Sequence, residues 1–159
     1  FNFTYVQSRV DMNQVMLRKG LDTITEYDYR VSVARDGQTI DQYRPMSGQS
    51  PFIVNTFINY TQDSLGLDIN LSYNVQGKRL SIIGIGNIPD VFEQPFHSLN
   101  FKASKKFGKE KQWKLSLRAQ NLLGAKKQRF FESFNAESQI YDYYYRGRTF
   151  SATLAYALK

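Results

Sequence analysis

The chain contains no cysteine, a single histidine and no long uninterrupted hydrophobic run. Without cysteine it has no disulfide framework and no thiolate metal site. Because His97 is alone, neither a histidine-rich metal site nor a His-based catalytic triad can be completed within the chain. Charged residues and glycines interrupt every apolar stretch before it reaches the ~18 residues that a membrane-spanning helix needs. The sequence therefore excludes a helical membrane protein.

Recognisable enzyme and nucleotide-binding motifs are missing as well. Gly84-Ile85-Gly86 begins like a dinucleotide-binding loop, but Pro89 stands where the third glycine belongs, and no βαβ pattern surrounds it. Acidic residues are scattered over predicted loops, and their spacing favours no catalytic carboxylate pair. We expect no enzyme, no cofactor and no bound metal, with His97 a solvated histidine at a strand edge or in a loop.

The net charge of +7 is compatible with nucleic acid or with an anionic membrane surface as a partner. However, the chain carries no basic helix and no recognisable nucleic-acid motif. Six lysines fall between Lys102 and Lys114, around one predicted turn. We therefore expect no nucleic-acid partner.

What the sequence does contain is alternation of apolar and polar residues. From Leu67 to Gln76 every odd position is apolar and every even position is polar, which gives an extended strand one apolar face and one polar face. Five other segments alternate in the same way: Phe1–Tyr5, Val54–Tyr60, Leu99–Ser104, Trp113–Gln120 and Phe150–Leu158. Thr56 and Phe57 are imperfect matches. The pattern predicts six antiparallel strands in up-and-down order.

The links between these strands alternate in length. Links 63–66 and 108–112 are short, whereas links 11–50, 77–96 and 122–146 are long. Transmembrane barrels have short periplasmic turns and longer extracellular loops. In the first long link, Asp36-Gly37 lies between segments 29–34 and 38–43, which predicts an extracellular β-hairpin with a type I′ turn.

A soluble antiparallel β-sandwich alternates too, and it would make the chain a binding module, for carbohydrate for example. Three features favour a membrane barrel instead. The strands approach the ~9 to 11 residues that cross a bilayer at a tilt, and the loop lengths alternate. Aromatic residues lie near strand ends, where an interfacial girdle is expected: Tyr5, Tyr60, Tyr73, Phe107, Trp113 and Tyr156.

Three segments resemble the C-terminal barrel of TonB-dependent outer-membrane receptors. Residues 145–156, YRGRTFSATLAY, resemble the closing strand of that family, which opens with Gly-Arg-x-aromatic. Residues 115–124, LSLRAQNLLG, resemble its penultimate ascending strand with the Asn-Leu signature, here Asn121-Leu122. Residues 47–60, SGQSPFIVNTFINY, resemble the Gly-Gln-Ser-Pro strand opening of Bacteroidota-type receptors.

The resemblance implies an outer-membrane barrel of 22 strands around an N-terminal plug, which takes up a scarce nutrient with energy from the TonB complex. A siderophore, a vitamin, a glycan and a peptide all remain open as cargo. Residues 1–159 would be the C-terminal segment of the barrel domain, with the plug outside this chain. Its partners would be outer-membrane lipid, the rest of the barrel, the plug, the TonB complex and a surface lipoprotein. One departure is the end Leu158-Lys159, where such barrels usually carry a terminal aromatic residue.

Two groups of residues are candidates for contact with the plug or the cargo. The lumen group has polar side chains on the predicted inward faces: Asp68, Asn70, Asn74, Gln76, Lys114, Arg118 and Gln120. The plug is its commoner partner, because a wide polar lumen must be filled or wet. The mouth group lies at the predicted outer end: Tyr141, Tyr143, Tyr144, Tyr145, Arg146 and Arg148. For the mouth group an interfacial aromatic belt with ordinary loop packing is favoured over cargo contact. A barrel that acts as a surface scaffold without transport is the remaining alternative.

Overall fold

The computed structural model describes residues 1–158, and Lys159 lies outside the described residues. The chain folds almost entirely into antiparallel strands, with a 3-10 turn at Met12–Gln14 and one helix, α1 (Glu26–Val33). The strands are β1 (Asn2–Tyr5), β2 (Val10–Asp11), β3 (Met16–Lys19), β4 (Asp22–Thr25), β5 (Tyr43–Arg44), β6 (Phe52–Gln62), β7 (Leu67–Gln76), β8 (Arg79–Ile82), β9 (Asp90–Glu93), β10 (Phe96–Phe107), β11 (Trp113–Gln120), β12 (Lys126–Glu132), β13 (Gln139–Tyr145) and β14 (Thr149–Tyr156). Neither helical segment in residues 1–158 is long and apolar enough to cross a membrane.

The largest sheet consists of the six strands that the alternation predicts, in the order β1-β6-β7-β10-β11-β14. The predicted bounds of β7 and β11 are confirmed, β10 is longer than predicted, and β14 ends at Tyr156. Strands β6 and β7 are joined by a tight turn in which the Gly66 amide donates to the Asp63 carbonyl at 3.1 Å. Gly66 has a φ of +61°, and a Cβ there would lie 2.8 Å from the Lys106 carbonyl oxygen. Only glycine fits this turn without strain.

The pairing register gives this sheet two faces of opposite character. Residues opposite each other on neighbouring antiparallel strands lie on the same face. Leu71, for example, lies opposite Ile58 on β6 and Phe101 on β10. The apolar face so defined carries Phe3, Tyr5, Phe52, Val54, Ile58, Tyr60, Leu67, Ile69, Leu71, Tyr73, Val75, Leu99, Phe101, Ala103, Phe107, Trp113, Leu115, Leu117, Ala119, Phe150, Ala152, Leu154 and Tyr156. Thr56, Gln62, His97 and Lys105 lie on this face as well. The alternate residues of each strand form the polar face, which also includes Ile53 and Phe57.

A second sheet fills two of the long links that the sequence left without strands. Its order is β8-β9-β12-β13, and these strands adjoin β7, β10, β11 and β14 in the same lateral order. The short pair β2-β5 likewise adjoins β1 and β6. Each strand of the first sheet is therefore followed or preceded in the chain by one of these shorter strands, all beyond the same end of the sheet. None of the sheets in the described residues closes into a barrel.

The predicted hairpin across Asp36-Gly37 is wrong. Helix α1 occupies most of its first arm, and of the second arm only Tyr43, the first residue of β5, lies in a strand. Thr25 caps the helix, because its Oγ1 accepts a hydrogen bond from the Asp28 amide at 3.0 Å. A type I′ turn needs positive φ at both central residues, but here only Gly37 has it.

The buried core lies between the first long link and the second sheet. Leu80 and Val91 are almost completely buried, and Met12 and Phe134 are buried as well. The apolar face of the first sheet stays open by contrast: Leu71 is 36% exposed, Phe150 68% and Leu154 59%. The largest apolar surface is therefore outside the core.

Candidate functional site

The structure places the whole lumen group on the polar face of the first sheet. Its members come from β7 and β11, and β10 lies between these two strands. Asn70 lies opposite Lys102, which in turn lies opposite Arg118. Lys114, Arg118 and Gln120 are exposed. The seven residues thus share one surface, as the alternation predicts.

Neighbouring strands supply hydrogen-bond partners for this surface that the sequence did not indicate. Asp68 accepts a hydrogen bond from Thr61 Oγ1 at 2.8 Å. The Asn74 amide donates to Asn55 Oδ1 at 2.7 Å, and the Asn70 amide donates to Asn59. The β7 side chains are therefore held in place laterally by β6. A polar face ordered in this way presents fixed donors and acceptors to whatever lies against it.

The structure places the tyrosines of the mouth group apart from its two arginines. Its four tyrosines all lie on β13 and are exposed. Tyr141 packs edge-on against Phe131, with ring centroids 5.0 Å apart, and the Arg129 guanidinium lies 4.8 Å from the Tyr141 ring. Lys126 Nζ lies 5.8 Å from the Tyr143 ring.

The two predicted arginines are placed differently. Arg148 Nε donates to the Leu122 carbonyl at 3.0 Å, and Arg146 is exposed in the link before β14. The cations next to the tyrosines are thus Lys126 and Arg129 on β12. Sequence reasoning missed them because β12 was read as part of a loop.

A buried network of four charged residues joins helix α1 to the second sheet. Arg30 Nε donates to Glu26 Oε1 at 2.7 Å, one helical turn away, and Arg30 Nη1 donates to Asp90 Oδ2 at 2.8 Å. Arg44 is the fourth member and lies 3.7 Å from Asp90 Oδ1. All four side chains are at least nine-tenths buried. We call these residues the buried quartet.

Within the buried quartet, every guanidinium nitrogen of Arg30 has a hydrogen-bond acceptor. Burial opposes its charge, but the hydrogen bonds and charge attraction of Asp90 and Glu26 outweigh burial and raise the pKa of Arg30 above its ordinary value. Arg30 Nη2 also donates to the Gly84 carbonyl at 3.1 Å. Glu26 accepts from the Gly86 amide at 3.2 Å. The quartet therefore fixes the 84–86 loop as well as the helix.

A second set of ion pairs runs across the middle of the second sheet. Glu93 accepts from Arg79 Nη2 at 2.9 Å and from Lys127 Nζ at 3.2 Å. Burial disfavours the carboxylate, yet these two hydrogen-bonded cations keep the pKa of Glu93 below its ordinary value. Arg129 and Asp142 form the next pair, and their hydrogen bonds lower the pKa of Asp142.

Two adjoining clefts separate the first long link from the second sheet. The larger is an open cleft of about 720 Å³ and the smaller one measures about 490 Å³. Alternate residues of β9 and β12, among them Phe92 and Phe130, line the sheet side of the larger cleft. Both clefts share a border made of Asp41, Tyr43, Arg44, Pro45, Phe92 and Glu132.

Sequence reasoning treated Asp90 as one of several scattered loop acids and did not consider Arg44. One local signal was available, because Glu26 and Arg30 are four residues apart and four-residue spacing pairs charges on a helix. Asp90 is 60 residues from Arg30, so no local pattern links them. No cluster of three or more metal-ligating side chains occurs within residues 1–158.

Protein-family models, curated proteins and solved structures were all compared with the chain, and none of them matches.

Proposed function

We propose that this chain is a wall segment of an outer-membrane β-barrel, and that the barrel is an uptake receptor of the TonB-dependent type. The observation that carries the proposal is the apolar face, which spans all six strands of the first sheet and whose members, Val75 and Ala119 apart, are exposed or half-exposed. Monomeric soluble proteins rarely expose apolar patches larger than a few hundred Å². A lipid bilayer is the solvent in which such a face is stable.

The β-sandwich alternative requires a second sheet packed on that face. The chain does form a second sheet, but β8, β9, β12 and β13 continue the first sheet instead of stacking on it. The exposure of Leu71, Phe150 and Leu154 is then unexplained in water. In a membrane these side chains meet lipid tails, and each contributes favourably to insertion.

Strand length and aromatic placement agree with a bilayer. Strands β6, β7 and β10 have 11, 10 and 12 residues, near the ~9 to 11 that a tilted membrane strand needs. Strands β11 and β14 have 8 residues each, and β1 has 4. At one end of the apolar face Trp113 stacks with Phe107 at a ring-centroid distance of 6.4 Å and packs against the tilted ring of Tyr156 at 4.7 Å. Aromatic clusters of this kind are enriched at membrane–water interfaces.

In this proposal, the loop lengths and the second sheet indicate which end of the strands faces the periplasm. Periplasmic turns of such barrels are short, which places the turn at Gly66 on the periplasmic side and β8, β9, β12 and β13 on the outer side. Alternate residues of a strand lie on the same face, so Phe92, Gln94 and Ser98 share one side. Ser98 belongs to the polar face of the first sheet. The first long link, which covers Phe92, would then fold inward over the mouth of the lumen.

The family resemblance adds the remaining parts of the proposal. In that reading the polar face, with the lumen group, meets a plug and water, and cargo passes with energy from the TonB complex. The strands β1 and β14 each have one unpaired edge in the sheet. In a barrel the rest of the wall pairs with both edges, so that every backbone group in the membrane is satisfied.

The test is fractionation followed by an uptake assay. The protein is expected in the outer-membrane fraction, and cells that carry it are expected to accumulate its cargo only while the TonB complex is intact. A protein found entirely outside the membrane fraction would refute the barrel. Membrane location with no TonB-dependent growth advantage on any siderophore, vitamin, glycan or peptide would instead support a surface scaffold.

A further inference from the structure

Arg44 lies where the two clefts meet and lines both of them. It is 9% exposed, and its Nε is a buried donor without a hydrogen-bond partner. Its Nη1 reaches the Gly84 carbonyl at 3.4 Å, which is a long hydrogen bond. A buried cationic donor left in this state costs free energy, because it has lost water and gained little in return.

The nearest carboxylate, Asp90, forms a buried ion pair with Arg44 but no hydrogen bond. Asp90 Oδ2 accepts from Arg30 Nη1 at 2.8 Å, and Asp90 Oδ1 accepts from the Gly84 amide at 2.8 Å. Arg44 Nη1 lies 3.7 Å from that oxygen, beyond hydrogen-bond distance. Because Arg30 and Gly84 occupy Asp90, the guanidinium of Arg44 has no carboxylate of its own.

We propose that Arg44 anchors the carboxylate of a small organic acid that binds across the two clefts. A guanidinium presents a planar fork of donors that matches a carboxylate, and charged hydrogen bonds of this kind are the strongest that side chains form. The inference goes beyond the uptake proposal, since every residue of the site belongs to this chain and, apart from Tyr5 in the smaller cleft, none belongs to the apolar face.

The walls beside Arg44 indicate what the acid carries. Tyr43 and Phe92 line both clefts, and Phe130 lines the larger one. Their rings suit an apolar or aromatic body attached to the carboxylate. Asp41 and Glu132 also border both clefts, while Arg35 lines the larger cleft and Arg9 and Lys78 line the smaller one. The aromatic walls, and not the charge of the lining, therefore favour an organic acid over phosphate. The ligand class is therefore a monocarboxylate with an apolar body.

Binding is tested by calorimetry or ligand-observed NMR on the full chain folded in detergent micelles. The probes are N-acetylphenylalanine, its C-terminal amide and inorganic phosphate. Loss of a charged hydrogen bond costs roughly 1.5 to 3 kcal/mol, so the acid should bind at least about tenfold more tightly than the amide. Phosphate should bind more weakly than the acid. Equal binding of acid and amide, or no binding of either, would overturn the inference.

Variants locate the site. Arg44→Lys keeps the positive charge but removes the fork, and it should weaken binding of the acid about tenfold. Arg129→Lys is the matched control, since Arg129 pairs with Asp142 on β13 and lines neither cleft. Unchanged binding in Arg44→Lys would refute the assignment. If that variant failed to fold, the acid and amide comparison on the unaltered protein would still decide. A negative result would leave the membrane proposal untouched, because fractionation does not depend on this site.

Discussion

Single residues on β7 separate the two faces of the first sheet most cleanly. Leu71 and Ser72 are neighbours, yet Leu71 lies on the apolar face opposite Ile58 and Ser72 lies on the polar face opposite Asn100. The same new charge at each position therefore meets a different environment. Substituting arginine at each of the two positions therefore tests which face of the sheet touches lipid.

Leu71→Arg should lower the stability of the barrel in lipid by about 2 to 4 kcal/mol, the cost of an arginine near the bilayer midplane. Ser72→Arg is the matched control and should cost much less, because a lumen-facing arginine stays hydrated. The measurement is refolding of the complete barrel into lipid vesicles across a urea series. Equal losses for the two variants would contradict the facing proposed here.

Glu93 gives a residue-scale prediction in pH. Its pKa is lower in the folded protein than in the unfolded chain, so its ion pairs with Arg79 and Lys127 stabilise the fold above the unfolded pKa, about 4.3 for glutamate. That stability is lost as the pH falls through the lower folded pKa. The protection factors of the β8, β9 and β12 amides, which compare the observed exchange rate with the intrinsic rate at the same pH, should therefore fall on moving from pH 7 to below about 4.

In Glu93→Gln this part of the acid response should disappear, because the side chain no longer titrates. Glu137→Gln is the control, since Glu137 is 86% exposed and only pairs with Arg35 at the surface. The prediction fails if Glu93→Gln shows the same acid-induced fall in protection factors as the unaltered protein.

At the scale of elements, helix α1 depends on the buried quartet more than on its own sequence. The helix has only eight residues, and isolated helices this short are marginal in water. Its cap at Thr25 helps, but Arg30 ties it to Asp90 across 60 residues of chain. Removing Arg30 leaves the carboxylates of Glu26 and Asp90 buried with too few donors.

Arg30→Gln should therefore destabilise this region by about 3 to 5 kcal/mol, the usual cost of breaking a buried pair by removing one partner. Arg35→Gln is the matched control, and its exposed pair with Glu137 should contribute no more than about 1 kcal/mol. Limited proteolysis within residues 26–33 reads out both variants. Equal protection of the helix in the two variants would show that the quartet does not hold it.

At the scale of the whole molecule, we expect the chain to need detergent or lipid in order to fold. The apolar face and the unpaired edges of β1 and β14 should prevent the isolated chain from folding as a monomer in water. Without detergent we expect aggregation, and with detergent or lipid we expect β-structure by circular dichroism. A soluble monomer that melts cooperatively in buffer alone would count against the barrel.

The sequence by itself determined the six long strands, their order and the division of the first sheet into an apolar and a polar face. Period-two alternation is a local property, and the short turn that ends in Gly66 joins strands that are neighbours in the chain. The pattern in Leu67–Gln76 therefore needs no distant partner to be read correctly. The same reasoning assigned the lumen group to one face.

Only the tertiary structure decided helix α1, the second sheet and the buried quartet. Strand β12, with the sequence KKQRFFE, shows no apolar–polar alternation because Phe130 and Phe131 are adjacent, and its partner β13 carries a bulge at Tyr141. Gly37 indicated a turn, but contacts between Arg30 and Asp90 made the segment before it a helix. Such contacts join residues far apart in the chain, and their energies outweigh local propensity.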